Sequence, residues 1–168
     1  MKVAVKDANV LIDLEIAGLL DLWFQLGHET ITTDLVIGQL KVGGHKEALS
    51  HVSTGNIKVH KCSGEFLARA FQLMTRIRSG PDIADCSVLL LAIDLDAMLL
   101  SGDKPLRKGA TINHVEVHGI LWILDQFVAA KLLSKPTAAA KLEHLIEQDS
   151  FYPKAECQKR LNRWRSKK

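Results

Sequence analysis

The sequence predicts an α/β protein with a mostly parallel sheet covered by helices on both faces. Short aliphatic or β-branched runs recur along the chain, as at Val3-Ala4-Val5, Glu29-Thr30-Ile31-Thr32-Thr33 and Ala97-Met98-Leu99-Leu100-Ser101. Segments of helical apolar spacing separate them, which is the alternation that builds βαβ units. The 168 residues, 47% hydrophobic and 24% charged, suffice for one domain with a full core.

Val3 to Val5 is the first buried strand, and Val10 to Leu26 reads as one helix. Glu29 to Thr33 is the second strand, with Asp34 as a cap for a helix to about Lys41 that Gly43-Gly44 ends. A helix over Lys46 to Val52 and a turn at Ser53-Thr54-Gly55-Asn56 lead to Ile57-Lys58-Val59-His60-Lys61. That run alternates apolar and basic residues, so it is expected at or near a sheet edge. Phe66 to Ile77 is helical and is stopped by Ser79-Gly80-Pro81; Asp82 to Asp94 forms a strongly apolar helix. Ala97 to Ser101 is a buried strand, Pro105 to Lys108 a short helix, Ile112 to Val117 a further strand and Gly119 to Ser134 a long helix. Pro136 opens a helix to about Asp149, and Pro153 opens a last, basic one. The chain divides into a domain over 1–134 and a helical C-terminal extension over 135–168 packed on the same domain.

Composition excludes several classes. The longest apolar run, Val88 to Ile93, is far below the ~18 residues of a membrane span. The first residues lack the basic, apolar and small-residue series of a signal peptide, so a cytoplasmic protein is expected. Cys62, Cys86 and Cys157 are far apart and odd in number, which supports neither a disulfide framework nor a zinc site. The net charge of +3 is uneven: Lys154 to Lys168 holds seven basic residues and one Glu, leaving 15 basic against 18 acidic elsewhere. A basic tail on a mildly acidic body suggests a polyanionic or acidic partner. In one reading the tail grips RNA, with Trp164 stacked on a base; Leu161 and Trp164, three apart, favour simple packing of that tail on the body.

Carboxylates gather where strands stop and helices start. Asp7 follows the first strand, with Asn9 two residues on; Asp103 follows Ala97 to Ser101; Asp82 and Asp85 open the helix between. Each is also a good helix cap. The ends of parallel strands share one side of a molecule, however, and ligands bind there. Carboxylates meeting in one cleft repel unless a cation offsets them, and oxygen donors of this kind suit Mg2+ or Mn2+. Such an ion can polarise a phosphodiester and lower the pKa of bound water. No Ser/His/Asp set, P-loop or HExxH motif competes. The seven histidines are scattered and read as surface or capping residues.

The stretches Asp7-Ala8-Asn9-Val10-Leu11-Ile12-Asp13, Asp85-Cys86-Ser87-Val88-Leu89-Leu90-Leu91-Ala92 and Leu99-Leu100-Ser101-Gly102-Asp103-Lys104-Pro105-Leu106 together resemble the PIN-domain nucleases, in particular VapC-like toxins of toxin–antitoxin pairs. The resemblance runs from about Val3 to Leu133. It implies a three-layer α/β/α sandwich and a metal-dependent endoribonuclease, with an antitoxin protein as partner and often a homodimer. It implies Asp7, Asp85 and Asp103 as catalytic metal ligands, with Asn9 and Ser101 as supporting groups and Asp82 as a spare acid. Lys104, Arg107 and Lys108, beside that site, are candidates for RNA phosphate contact. These nucleases usually carry a glutamate after the second strand, where this chain has Val36-Ile37-Gly38-Gln39-Leu40. Gln39 offers a neutral carbonyl oxygen instead, and Glu47 is a candidate for a displaced acid, with Asp94 and Asp96 as further spares. Two other readings follow: a degenerate PIN domain that binds RNA or protein without cutting, and a haloacid-dehalogenase-like phosphatase with Asp7 as nucleophile. The latter wants an Asp where Asn9 stands.

Overall fold

The computed structural model describes residues 3–77, 80–148 and 151–166. Its centre is a five-stranded sheet in which every pairing is parallel. The strands are β1 (Val3–Lys6), β2 (Glu29–Thr33), β3 (Ile57–His60), β4 (Met98–Leu100) and β5 (Val117–His118), in the order β3-β2-β1-β4-β5. The expected edge position of Ile57 to His60 is observed, and the order turns back at β1 and β4, the adjacent pair that Asp7 and Asp103 follow.

On one face lies α6 (Ile83–Asp94), flanked by α5 (Gly64–Arg76) and α7 (Lys104–Ile112). Eight residues of α6, from Ala84 to Ala92, are buried, so it is apolar on nearly every side and acts as the central rod of that layer. The other layer holds α1 (Ala8–Ile16), α2 (Leu20–Phe24), α4 (Lys46–Ser53) and α8 (Ile120–Ala129). The helix α3 (Asp34–Gly43) touches both α1 and α6, while α9 (Lys135–Gln148) packs on α8 and α10 (Lys154–Arg165) on α9.

Four expectations change. The helix expected over Gly119 to Ser134 stops at Ala129, where Lys131 adopts a left-handed φ of 59°. The helix expected over Val10 to Leu26 is two helices, because Gly18 adopts a left-handed φ of 65°. There the Gly18 N–H donates to Glu15 O (2.9 Å) and the Leu19 N–H to Leu14 O (2.8 Å), the paired bonds of a Schellman turn. The strand expected from Ile112 is mostly absent: α7 continues to Ile112, and His114, at φ 58°, ends it in a second such turn. The Val115 N–H then reaches back to Ala110 O (2.9 Å), leaving only Val117 and His118 to pair with β4. Packing of Leu106, Gly109 and Ala110 outweighs the strand preference of the β-branched run that follows. Finally, Thr33 rather than Asp34 caps α3, its hydroxyl accepting from the Val36 N–H at 3.5 Å. Of the residues expected to stop α5, Gly80 sits at φ 84°, and Ser79 lies outside the described residues.

Two glycines where an added Cβ meets no close neighbour, Lys141 Nζ lying 3.7 Å from that position at Gly18, separate backbone strain from helix propensity. Gly18→Ala places a Cβ on a left-handed residue and should lower stability by about 1 kcal/mol in urea denaturation. Gly38→Ala, inside α3 with nothing near the added carbon, should raise it by about 0.5–1 kcal/mol. Equal effects of the two substitutions would contradict the turn assignment.

Candidate active site

The site lies at the carboxyl edge of β1 and β4, where the N-termini of α1, α6 and α7 converge. Asp7 caps α1, its Oδ1 accepting from the Val10 N–H at 3.1 Å. Its Oδ2 accepts a hydrogen bond from the Ser101 hydroxyl, and the Asp7 N–H donates to Leu100 O at 3.2 Å. Asp7 is 2% exposed. Asp82 and Asp85 form a reciprocal capping box at the start of α6, with N–H to carboxylate distances of 2.8 and 3.0 Å. Asp103 caps α7 by accepting from the Leu106 N–H at 2.8 Å, and its own N–H donates to Ser101 Oγ at 3.1 Å. Capping and clustering therefore coexist: the same local bonds that start three helices turn their first carboxylates toward one another.

The carboxylates feel each other. Burial pushes the Asp7 carboxyl from 3.8 up to about 7, against the opposing bonds from Ser101 and Val10, and the charges of Asp85 and Asp103 add to the rise. Burial likewise raises Asp85 to about 6, with Asp82 and Asp103 contributing repulsion. A nearby cation would relieve both burdens, and the donors are the hard oxygens that Mg2+ or Mn2+ prefers. Among the described residues no three acidic, histidine or cysteine side chains are already grouped to hold a metal ion. The donor chemistry fits an ion held partly through its own water shell rather than in a closed protein cage.

Gln39 faces this group from α3, its amide donating to Asp82 Oδ2 at 3.2 Å. Asn9 is exposed on the first turn of α1 and makes no hydrogen bond to the carboxylates among the described residues. Lys104 and Lys108 are exposed on α7. Arg107 is half-buried, and its guanidinium donates to Ser101 O at 3.0 Å, tying α7 to the strand end.

The remaining spare acids are elsewhere. Glu47 sits at the start of α4, where its own N–H meets the Glu15 carboxylate (3.4 Å). Glu15 lies eight residues beyond Asp7 along α1, or about 12 Å at the helical rise, so Glu47 is no substitute for Gln39. Asp94 pairs with Arg69 and Asp96 follows α6, both at the end of that helix opposite Asp85. Four basic residues of the tail are tied down: Arg160 and Arg163 pair with Asp125, Arg165 with Glu143, and Lys159 with Glu156. Leu161 and Trp164 are buried, so Trp164 packs on the body and is no stacking platform. Lys167 and Lys168 lie outside the described residues.

Two features escape a reading of the sequence. Thr33 and Ser87 share a buried hydroxyl–hydroxyl bond of 2.8 Å between β2 and α6. Lys6, next to Asp7, is fully buried with its Nζ 3.5 Å from the Trp23 ring centroid. Burial drives its amine well below its ordinary pKa, against the opposing attraction of Asp7. A lysine at a strand end ordinarily marks the surface, so nothing in the local pattern signals this.

Asp7 and Asp85 retain protons in the folded protein that an unfolded chain releases near 3.8. Without divalent cation, stability should therefore fall as pH rises from about 4 to about 7. Asp7→Asn keeps an acceptor for Val10 while removing the buried charge. It should raise the metal-free Tm at pH 8 by a few degrees, roughly 1–2 kcal/mol, and by less at pH 5. A lower Tm at pH 8 would contradict the origin assigned to the shift.

Comparison with known proteins places these observations. A family model described as a PIN domain matches residues 3–166, across both the sheet domain and the C-terminal helices. No functionally curated protein matches the chain. Among solved structures, one chain of the crystal structure of VapBC2 from Rickettsia felis, bound to a DNA fragment from its promoter, is 13% identical with a TM-score of 0.49. The superposition covers 70% of this chain and 98% of that one. With the family model spanning nearly its whole length, the chain belongs to the PIN-domain family.

Proposed function

We propose that this protein is a metal-dependent endoribonuclease and the toxin of a toxin–antitoxin pair, acting in the cytoplasm as a homodimer. The observation that carries the enzymatic part is the burial of the Asp7 and Asp85 carboxyls at one end of the sheet, which raises both, with the neighbouring acids adding to the rise. Placing coupled, partly desolvated carboxylates together costs stability and has a use when a cation joins them. The toxin and dimer assignments rest on the family resemblance.

In this reading Asp7, Asp85 and Asp103 hold Mg2+ or Mn2+. The ion supplies Lewis acidity toward the phosphodiester and a lowered pKa for its water. Ser101 fixes the Asp7 carboxylate by its hydroxyl and Asp103 by receiving its N–H, so one side chain sets the distance between two ligands. Arg107 fixes Ser101 in turn through its carbonyl. The exposed Lys104 and Lys108 meet phosphates, and Asn9 orients solvent at the rim. Asp82 completes the acidic group while its Oδ2 takes the Gln39 amide.

That last bond also favours a second reading, a degenerate site that binds RNA or protein without cutting. An amide that donates to Asp82 compensates an acid which the usual glutamate would repel.

Purified protein with Mg2+ or Mn2+ should cleave structured RNA, and Asp7→Asn or Asp103→Asn should reduce the rate by at least about 100-fold. No cleavage by the parent protein, and none gained on Gln39→Glu, would select the degenerate reading. Gln39→Glu should lower metal-free stability by adding a charge against Asp82. It should also tighten Mg2+ binding by roughly tenfold in calorimetric titration. Co-expression with the product of a neighbouring antitoxin gene should relieve growth arrest.

A further inference from the structure

We propose that His118 and Trp122 form a base-stacking platform that binds a single-stranded RNA nucleotide beside the acidic site; this rests on the ribonuclease reading. The two rings are stacked nearly flat, with centroids 4.2 Å apart and planes at 10°. Both side chains are only half-buried. An aromatic pair in a parallel stack presents further π surface, which any base can cover.

Register puts the pair two strands from β1, at the same end of the sheet as the carboxylates. Lys6, Leu100 and His118 form one row across β1, β4 and β5, and the residues after them are Asp7, Ser101 and Gly119. The Ser101 N–H donates to His118 O at 2.8 Å, so the platform joins the residue whose hydroxyl holds Asp7. β5 is an edge strand, with no further strand beyond it among the described residues. A cation is in place for the adjoining phosphate: Arg107 Nη1 lies 3.3 Å from where a Cβ on Gly119 would stand, and Ser101 O lies 3.4 Å from it. Glycine at 119 thus leaves room for the guanidinium beside the Ser101 carbonyl.

The platform is braced from within. Trp122 also meets His28 at 6.4 Å, His28 stacks on Trp23 at 5.2 Å, and Lys6 Nζ lies over Trp23. These contacts run from the buried end of β1 outward to His118, fixing the rings before any ligand arrives.

The tryptophans make the proposal easy to read. Trp23 and Trp164 are buried at 0% and 3% exposure, which leaves Trp122 as the indole open to a ligand. Titrating the full chain with a 12-nucleotide oligouridylate in EDTA should quench its fluorescence, and a duplex of equal length should quench far less. Trp122→Ala and His118→Ala should each weaken binding about tenfold. Trp122→Phe should retain affinity while losing the quench, and His118→Phe should restore affinity, since a ring rather than a charge is needed. Circular dichroism identifies any variant that fails to fold, and His118→Phe against His118→Ala decides the matter if Trp122→Ala does. Unchanged affinity in the alanine variants, or equal binding of duplex, overturns the platform. Cleavage with unaltered KM in those variants overturns it while leaving the nuclease intact. Absence of cleavage with the quench and affinity losses preserved overturns the nuclease and leaves the platform.

Discussion

Asp7 is held at the end of β1 by three bonds, and the rest of the site depends on that placement. Its N–H belongs to β4 through Leu100, its Oδ1 belongs to α1 through Val10, and its Oδ2 belongs to Ser101. A carboxylate so placed is expensive, since burial lifts its pKa to about 7. The protein tolerates the expense because the same group starts a helix and joins two central strands. Burial of this group works against stability, a pattern that also occurs at functional positions.

The surrounding architecture repeats the device. Asp103 caps α7 as Asp7 caps α1, and the Asp82–Asp85 box opens α6 from the same side of the sheet. Three helix N-termini pointing inward give partial positive charge, which tempers the repulsion among the acids without cancelling it. Ser101 is the hinge of the arrangement: its hydroxyl joins Asp7 to Asp103, its carbonyl holds Arg107, and its N–H reaches β5. Loss of that hydroxyl would remove one bond from the Asp7 carboxylate and the acceptor of the Asp103 N–H at once.

The C-terminal helices serve the body. Asp125 and Glu143, on α8 and α9, take the arginines of α10, and Leu161 and Trp164 fill the seam beneath. A charge imbalance of +6 in the last fifteen residues looks like a polyanion grip when counted along the chain. In space much of it is spent on internal ion pairs, which count for little in stability but leave fewer free cations. The half-buried aromatic pair lies instead at His118 and Trp122, far from the tail in sequence and in one row with Leu100 and Lys6.

Apolar periodicity by itself determined the parallel α/β order, the edge placement of Ile57 to His60 and the strand-end positions of Asp7 and Asp103, because these follow from local pattern and from the shared direction of parallel strands. The motif around Asp7, Asp85 and Asp103 identified the family from the chain alone. Only the tertiary structure decided where helices stop. Left-handed turns at Gly18 and His114 divide one predicted helix and erase most of a predicted strand, and the packing that supports them is distant in sequence. It likewise decided that Gln39 meets Asp82 while Glu47 meets Glu15. It buried Lys6 over Trp23 as well. Such pairings depend on the angles between packed helices, and a linear pattern of residue types carries no record of them.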